Sequence, residues 1–147
     1  MRIMFTVLAL VSFSLALMAA DSSDTTWKLN VARSKLQCSD IVSQTMKLTA
    51  TAGSNSHHSV IDKVSKSGEA HHEVFDRPWD GKEHPVPGQA GLTVTDQRID
   101  GSTLKTTFKK DGKVILESTA VVSVDGKVMT RHQVAATCEE TLIFEKQ

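Results

Sequence analysis

The chain has 147 residues with 17 basic and 17 acidic side chains, so its formal net charge at pH 7 is zero. A neutral chain lacks the basic footprint that binds nucleic acids and anionic lipid surfaces, and aromatic residues, which stack on bases, make up only 5% of the sequence. Nucleic-acid binding is therefore excluded, and the length fits one domain beside a targeting segment.

The N-terminal segment has the layout of a secretory signal peptide. A positive charge at Arg2 is followed by residues 3–20, which contain no charged side chain and end in two alanines. We therefore expect cleavage of residues 1–20 and export to the periplasm or outside the cell, which leaves residues 21–147 as one domain without membrane attachment. The alternative is a retained membrane anchor, because about 18 apolar residues can span a bilayer.

The rest of the sequence predicts short β-strands separated by tight turns. Val, Ile and Thr recur with a period of two, and Asp-Gly, which suits the type I′ turn of a hairpin, occurs four times. One short helix is predicted at residues 31–36, with Asn30 as its N-cap. The predicted strands are 26–29, 44–52, 57–66, 69–75, 92–99, 103–109, 113–124, 128–136 and 141–145.

This pattern predicts an all-β fold, an antiparallel up-and-down meander of about 8–9 strands. The meander can close as a barrel or fold as a sandwich. We favour the barrel, because closure joins the two sheet edges that consecutive hairpins leave open.

The chain contains two cysteines, Cys38 and Cys138. An even number of cysteines in an exported chain indicates a disulfide, which here would close a loop of about 100 residues and contribute up to about 4.7 kcal/mol. Two unpaired thiols are the alternative. Neither cysteine belongs to a C-x-x-C motif, so a thioredoxin-like redox function has no support.

Four stretches carry a resemblance to a known family: TWKLNVARSKL at 26–36, DGKEHPVPG at 80–88, KKDGKV at 109–114 and SVDGKVMT at 123–130. They resemble small exported bacterial proteins that are lipocalin-like in build. The resemblance implies a calycin-type antiparallel barrel of about eight or more strands, and it implies no reaction. Trp27 is similar to the tryptophan of the lipocalin G-x-W motif, which plugs one end of the barrel, although Thr25 stands in place of the glycine.

Eight strands enclose enough room for one small ligand, so we predict that the protein binds or carries a small, mostly apolar molecule. We expect a monomer that needs no cofactor and catalyses no reaction. The ligand would be buried against apolar strand residues, and the candidates are Met46, Leu48, Leu92, Val94, Leu104, Phe108, Leu116, Val122, Val134 and Phe144.

The polar patch at residues 69–86, EAHHEVFDRPWDGKEHPV, is the second candidate region. Its proline-rich second half is predicted to be a loop. We favour a stiff loop that packs Trp79 on the outside of the barrel, because prolines stiffen a loop without any ligand. The alternative is a lid that holds Trp79 over the barrel mouth. His84 is the other candidate residue of this loop.

Three other functions stay open. An envelope structural or interaction protein would have a filled barrel and bind partners through its loops. A metal-binding protein would use the pairs His57-His58 and His71-His72, but adjacent residues on a strand point to opposite faces, so we expect no metal site. A hydrolase would have His132 as its best single base, but the sequence has no G-x-S-x-G motif.

Overall fold

The computed structural model describes residues 23–50 and 53–147. The proposed signal peptide at residues 1–20 lies outside these ranges and stays a prediction. Within the described ranges, no helix has the length and apolar character needed to cross a membrane.

Ten antiparallel strands make up almost all of the described chain, and they form one sheet. The strands are β1 Ser23–Leu29, β2 Ile41–Ala50, β3 Ser56–Ser65, β4 Ala70–Pro78, β5 Asp80–Pro85, β6 Leu92–Arg98, β7 Thr103–Lys110, β8 Lys113–Val122, β9 Val128–Ala135 and β10 Glu139–Lys146.

The sheet curls into a nearly closed barrel. Each strand pairs with its neighbours along the chain, except that β4 and β5 do not pair with each other, and β1 pairs with β10. The sheet order therefore ends at β4 on one side and at β5 on the other, and Trp79 alone connects these two strands. The predicted antiparallel meander and its closure by the first and last strands are confirmed.

The prediction of about 8–9 strands was wrong, because the proline-rich loop contains the additional strand β5. Its prolines do not prevent pairing, because β4 and β5 are edge strands and Pro78 and Pro85 end them, where a missing N–H breaks no ladder. Gly81, with φ of 72°, lies where the pairing of β5 with β6 shifts register. The glycine accommodates this irregularity.

Two turn predictions can be compared with the backbone. The β7–β8 hairpin has the two-residue loop Asp111-Gly112, both with positive φ (49° and 79°), as a type I′ turn requires. The helix predicted at 31–36 is only a 3-10 turn, Val31–Arg33, but Asn30 caps it as predicted: its Oδ1 accepts a hydrogen bond from the Arg33 N–H at 3.1 Å.

The connection between β1 and β2, residues 30–40, is fixed against β9 and β10, and we call it the strap. Cys38 forms a disulfide with Cys138, with 5.6 Å between the Cα atoms, as predicted. Lys35 pairs with Thr141. The buried carboxylate of Glu140 accepts hydrogen bonds from the backbone N–H groups of Cys38 and Ser39, from the Ser39 hydroxyl and from the Gln133 amide.

The apolar core lies inside the barrel and reaches the strap. Phe144 is completely buried and Trp27 is 4% exposed. Leu36 of the strap and Ile41, the first residue after it, pack against the core and cover its strap side. The cluster consists of Trp27, Leu29, Met46, Ile61, Ala120, Met129, Leu142 and Phe144.

Candidate ligand cavity

A cavity of about 730 Å³ occupies the rest of the barrel interior. The turns β2–β3, β4–β5, β6–β7 and β8–β9 lie at the end of the barrel where β1 begins. The strap lies at the opposite end. Residues of two such turns line the cavity, 100–102 between β6 and β7 and 123–126 between β8 and β9. The cavity therefore reaches the surface at the end of the barrel opposite the strap, and its size is that of a site for a small organic molecule.

The wall of the cavity is mainly apolar. Six of the ten predicted lining residues contribute to it: Met46, Leu48, Leu104, Phe108, Leu116 and Val122. Val94 and Phe144 do not line the cavity, because they are buried within the packed structure, 4% and 0% exposed. Leu92 starts β6 near the strap end of the barrel, and Trp27, the predicted plug, lies at the junction of core and cavity.

Val134 is the clear correction among these candidates, because its side chain points outward and is 43% exposed. Strand β9 turns Met129, Arg131 and Gln133 toward the interior, not the alternate set that contains Val134. The error arose because interior strand residues were assumed to be apolar, and Arg131 and Gln133 were therefore assigned to the outer face. In this barrel both face the interior.

A row of polar side chains crosses the inner wall of five strands. Register places each next to the following one, and the row is Asp96, Thr106, Ser118, Gln133 and Glu140. The Thr106 hydroxyl donates to the Asp96 carboxylate, and the Gln133 amide donates to Glu140 at 2.9 Å. Asp96 is only 2% exposed, so its carboxylate has been almost entirely removed from bulk water. We call this row the polar belt.

Two arginines reach the belt from opposite sides of the barrel. The Arg77 Nε atom of β4 lies 3.3 Å from Asp96 Oδ2 of β6, which bridges the gap between the two sheet ends. Its guanidinium carbon is 3.8 Å from the centre of the Phe75 ring, a cation–π distance. Burial lowers the pKa of Arg77, and the charge of Asp96 opposes this shift.

Arg131 of β9 has the weaker set of partners. Its Nη2 atom lies 3.5 Å from the sulfur of Met46, and its guanidinium carbon is 5.4 Å from the Phe144 ring centre. Burial and, after it, the charge of Arg77 lower the pKa of Arg131 to about 10, against the opposing effect of Asp96. Arg131 is therefore charged at neutral pH.

Glu73 also favours the charged form of Arg77, but it is already paired with Lys63 at 2.8 Å. Arg77 and Arg131 therefore share the carboxylate of Asp96, which leaves one positive charge in excess.

A second group of polar residues lies where β4 passes into β5. The rings of His57 and Trp79 stack, with centroids 4.9 Å apart and 15° between their planes, and the Arg98 guanidinium carbon lies 3.9 Å from the Trp79 ring centre. Burial is the main cause that lowers the pKa of His57 to about 4, so this imidazole is neutral at pH 7. Trp79 thus lines the cavity, so the favoured expectation that it packs on the outside of the barrel was wrong.

The other candidate histidines lie on the surface beside carboxylates. His84 Nε2 is 3.0 Å from Asp80 within β5, and His132 Nε2 is 3.2 Å from Glu139. His58, His71 and His72 pair with Asp76, Glu69 and Asp62. In residues 23–50 and 53–147 no three His, Cys, Asp or Glu side chains are grouped as metal ligands are.

Sequence reasoning missed the charged interior residues Arg77, Asp96 and Arg131. A signal was present for Arg131, since it alternates with Met129 on one face of a predicted strand. Arg77 alternates in the same way with Phe75, but the predicted strand ended at residue 75. Asp96 is two residues after Val94 on β6, so the two side chains share a face. Because Val94 was assigned to the interior, the same assignment should have been made for Asp96.

The fold and the cavity define the class: a calycin-like β-barrel with an interior cavity. Two of the solved structures that are similar to this chain illustrate the fold. A variant of the fluorescent protein UnaG matches with a TM-score of 0.57 and 13% identity, over 82% of this chain and 92% of that one. A fatty acid-binding protein from brain tissue of Drosophila melanogaster matches with a TM-score of 0.50 and 11% identity, over 82% and 95%.

At such identities the likeness concerns the fold. No family model and no curated protein matches the sequence. The resemblance to exported bacterial proteins therefore stays a prediction, while the calycin-type barrel that it implied is confirmed.

Proposed function

We propose that this protein binds a small amphiphilic acid, a mostly apolar molecule with one anionic group, inside the barrel. The observation that carries the proposal is the excess positive charge at Arg131 in a cavity of about 730 Å³ with a largely apolar wall. A buried charge without a partner is costly, and a ligand carboxylate would supply the missing counterion. The apolar chain of the ligand would then lie against Met46, Leu104 and their neighbours on the wall.

A long-chain fatty acid and the corresponding alcohol provide the test. The two compounds have the same apolar chain, so their difference in affinity for the protein, measured by calorimetry, isolates the charged group. We expect the acid to bind at least about tenfold more tightly, because a charge-assisted hydrogen bond to a buried guanidinium exceeds a neutral one by 1.4 kcal/mol or more.

The variant Arg131→Met keeps the length of the side chain and removes its charge. We expect it to bind the acid and the alcohol about equally, whereas Lys105→Met on the outer hairpin surface should retain the full preference for the acid. Equal binding of acid and alcohol to the unaltered protein would contradict the proposal, and so would the absence of binding to either compound.

The exported carrier predicted from the sequence remains part of this proposal. A Cys38–Cys138 disulfide supports an oxidising compartment, and residues 1–20 support export. The open cavity favours a carrier over a structural protein with a filled barrel, and we assign no reaction to it. Mass spectrometry of the protein recovered from its own host would detect the cleavage site, the disulfide and any organic acid that remains bound. A bare protein that retains residues 1–20 would contradict both export and carriage.

A further inference from the structure

Five buried polar atoms on the cavity wall have no hydrogen-bond partner within the described part of the chain. Two of them, Arg77 Nε and Asp96 Oδ2, face each other as an ion pair at 3.3 Å. The other three have no such partner: Nδ1 of His57, Oγ of Ser59 and Nε1 of Trp79. All three side chains line the cavity, and His57 and Ser59 are 6% and 0% exposed. Buried polar groups in folded proteins are nearly always hydrogen-bonded, so three such atoms in one region of the wall indicate that something else binds there.

These atoms lie on a well-fixed part of the barrel. His57 and Ser59 are alternate residues of β3, so both side chains face inward and their Cα atoms are about 7 Å apart. Trp79 is placed by the hydrogen bond from its backbone N–H to the Asn55 carbonyl at 2.7 Å, and by its stacking on His57. The cluster formed by Arg77 and Asp96 lies beside it, because Arg77 is the cross-strand partner of His57.

The chemistry of the three atoms fits a neutral group that both donates and accepts. The Trp79 N–H can only donate. A neutral His57 that donates one ring N–H to the backbone of Arg77 presents its other nitrogen as an acceptor, and the Ser59 hydroxyl can do either. A carboxylate can only accept, so it would face the His57 lone pair without a hydrogen bond, whereas the Arg131 guanidinium offers only donors and is the better partner for an anion. A hydroxyl group satisfies donor and acceptor at once.

We propose that His57, Ser59 and Trp79 form a second polar subsite that binds a hydroxyl group on the apolar part of the ligand. The preferred ligand is then a hydroxylated amphiphilic acid, with its carboxylate at Arg131 and its hydroxyl at this subsite. The inference rests on the proposed function for the acid group, and it adds a selectivity that the charge of Arg131 does not provide.

The test compares one saturated fatty acid with a series of its monohydroxy derivatives that differ in the position of the hydroxyl group. We expect one position to bind about tenfold more tightly than the parent acid, because the hydroxyl then satisfies buried groups that the parent leaves unpaired. Derivatives hydroxylated elsewhere should bind more weakly than the parent, because they bury a hydroxyl group against an apolar wall.

Variants locate the effect. His57→Phe and Trp79→Phe keep a ring and remove a polar nitrogen, and Ser59→Ala removes only the hydroxyl. Each should reduce the preference, measured as the ratio of the affinities for the favoured derivative and the parent acid in the same variant, at least about threefold. His58→Phe, a change at the next residue on the outer face of the same strand, is the matched control and should keep the preference.

Two results would overturn the subsite: no hydroxylated derivative binds more tightly than the parent acid, as when the three atoms hold only water, or the preference persists in all three variants. Both results leave the proposed function intact if the parent acid still binds and still depends on Arg131. Failure of the parent acid to bind is the different result that contradicts the proposed function itself.

Discussion

At the scale of single residues, side chains that share a strand have different surroundings according to the face they occupy. Trp27 is in the core and Val134 is on the surface, although both belong to strands with a clear alternation. Alternation determines which residues share a face, but the identity of the inner face follows from packing across the barrel.

Truncation of Trp27 and Val134 measures this difference. We expect Trp27→Ala to lower the free energy of unfolding by about 3–5 kcal/mol, because it leaves a large hole between the core and the cavity. Val134→Ala should change it by less than about 0.5 kcal/mol, as is usual for an exposed residue. Denaturant unfolding of both variants checks the expectation, and a loss below about 1 kcal/mol for Trp27→Ala would show that Trp27 does not support the core.

His57 makes stability depend on pH. Its pKa is about 4 in the folded protein, mainly because of burial, against 6.5 for the ordinary imidazole. Between these values the unfolded chain binds a proton that the folded protein does not, so stability is highest above pH 6.5 and falls as the pH drops toward 4. The shift corresponds to a loss of up to about 3 kcal/mol.

His57→Phe should remove this part of the pH dependence. We expect the difference in unfolding free energy between variant and unaltered protein to shift in favour of the variant as the pH falls from 7 to 4, measured in urea at a series of pH values. Asp96 and Asp76 favour protonation of His57 and Arg77 opposes it, so all three charges contribute to the pKa of His57 in the folded protein. A difference that stays constant over this range would show that His57 titrates normally.

At the scale of elements, most strands follow from the sequence because period-two alternation and Asp-Gly turns are local signals. Strand β5 does not, because a stretch with prolines at 85 and 87 pairs only where it forms a sheet edge. The sequence likewise predicted the apolar part of the candidate site but not its charged part, because only the apolar part has a local signal. Apolar lining residues such as Leu104 have a local signature, whereas the pairing of Arg77 with Asp96 across the gap between β4 and β5 depends on the closed barrel.

The strap gives an expectation at this scale, because it lies at the end of the barrel opposite the cavity mouth. Replacing Cys38 and Cys138 together with Ala should cost about 2–4 kcal/mol of stability, since the crosslink closes a long loop. Affinity for the fatty acid should stay within a factor of about three, because the replaced side chains do not line the cavity wall described above. Calorimetry on the folded double variant measures this, and a large fall in affinity would show that the strap shapes the site.

At the scale of the whole molecule, the barrel combines a packed end with an open one. The core and the disulfide stabilise the end near the strap, while the other end holds a cavity lined by three arginines, Arg77, Arg98 and Arg131, and by the buried carboxylate of Asp96. We expect such a cavity to decrease the stability of the free protein, because the excess charge of Arg131 is partly removed from water. Binding sites often reduce the stability of the free protein in this way, and a bound ligand increases it again.

The variant Arg131→Met separates the cost of the excess charge in the free protein from the stabilisation that a bound ligand provides. Without ligand, the variant should be more stable than the unaltered protein by about 1–3 kcal/mol, because Arg77 and Asp96 remain as a balanced pair and an apolar side chain replaces the excess charge. A saturating fatty acid, at about 100 times its Kd, should stabilise the unaltered protein by about 2.7 kcal/mol and the variant much less. Denaturant unfolding with and without the acid gives all four values. A ligand-free variant that is less stable than the unaltered protein would show that Arg131 is a structural partner of Asp96 and carries no excess charge for a ligand to neutralise.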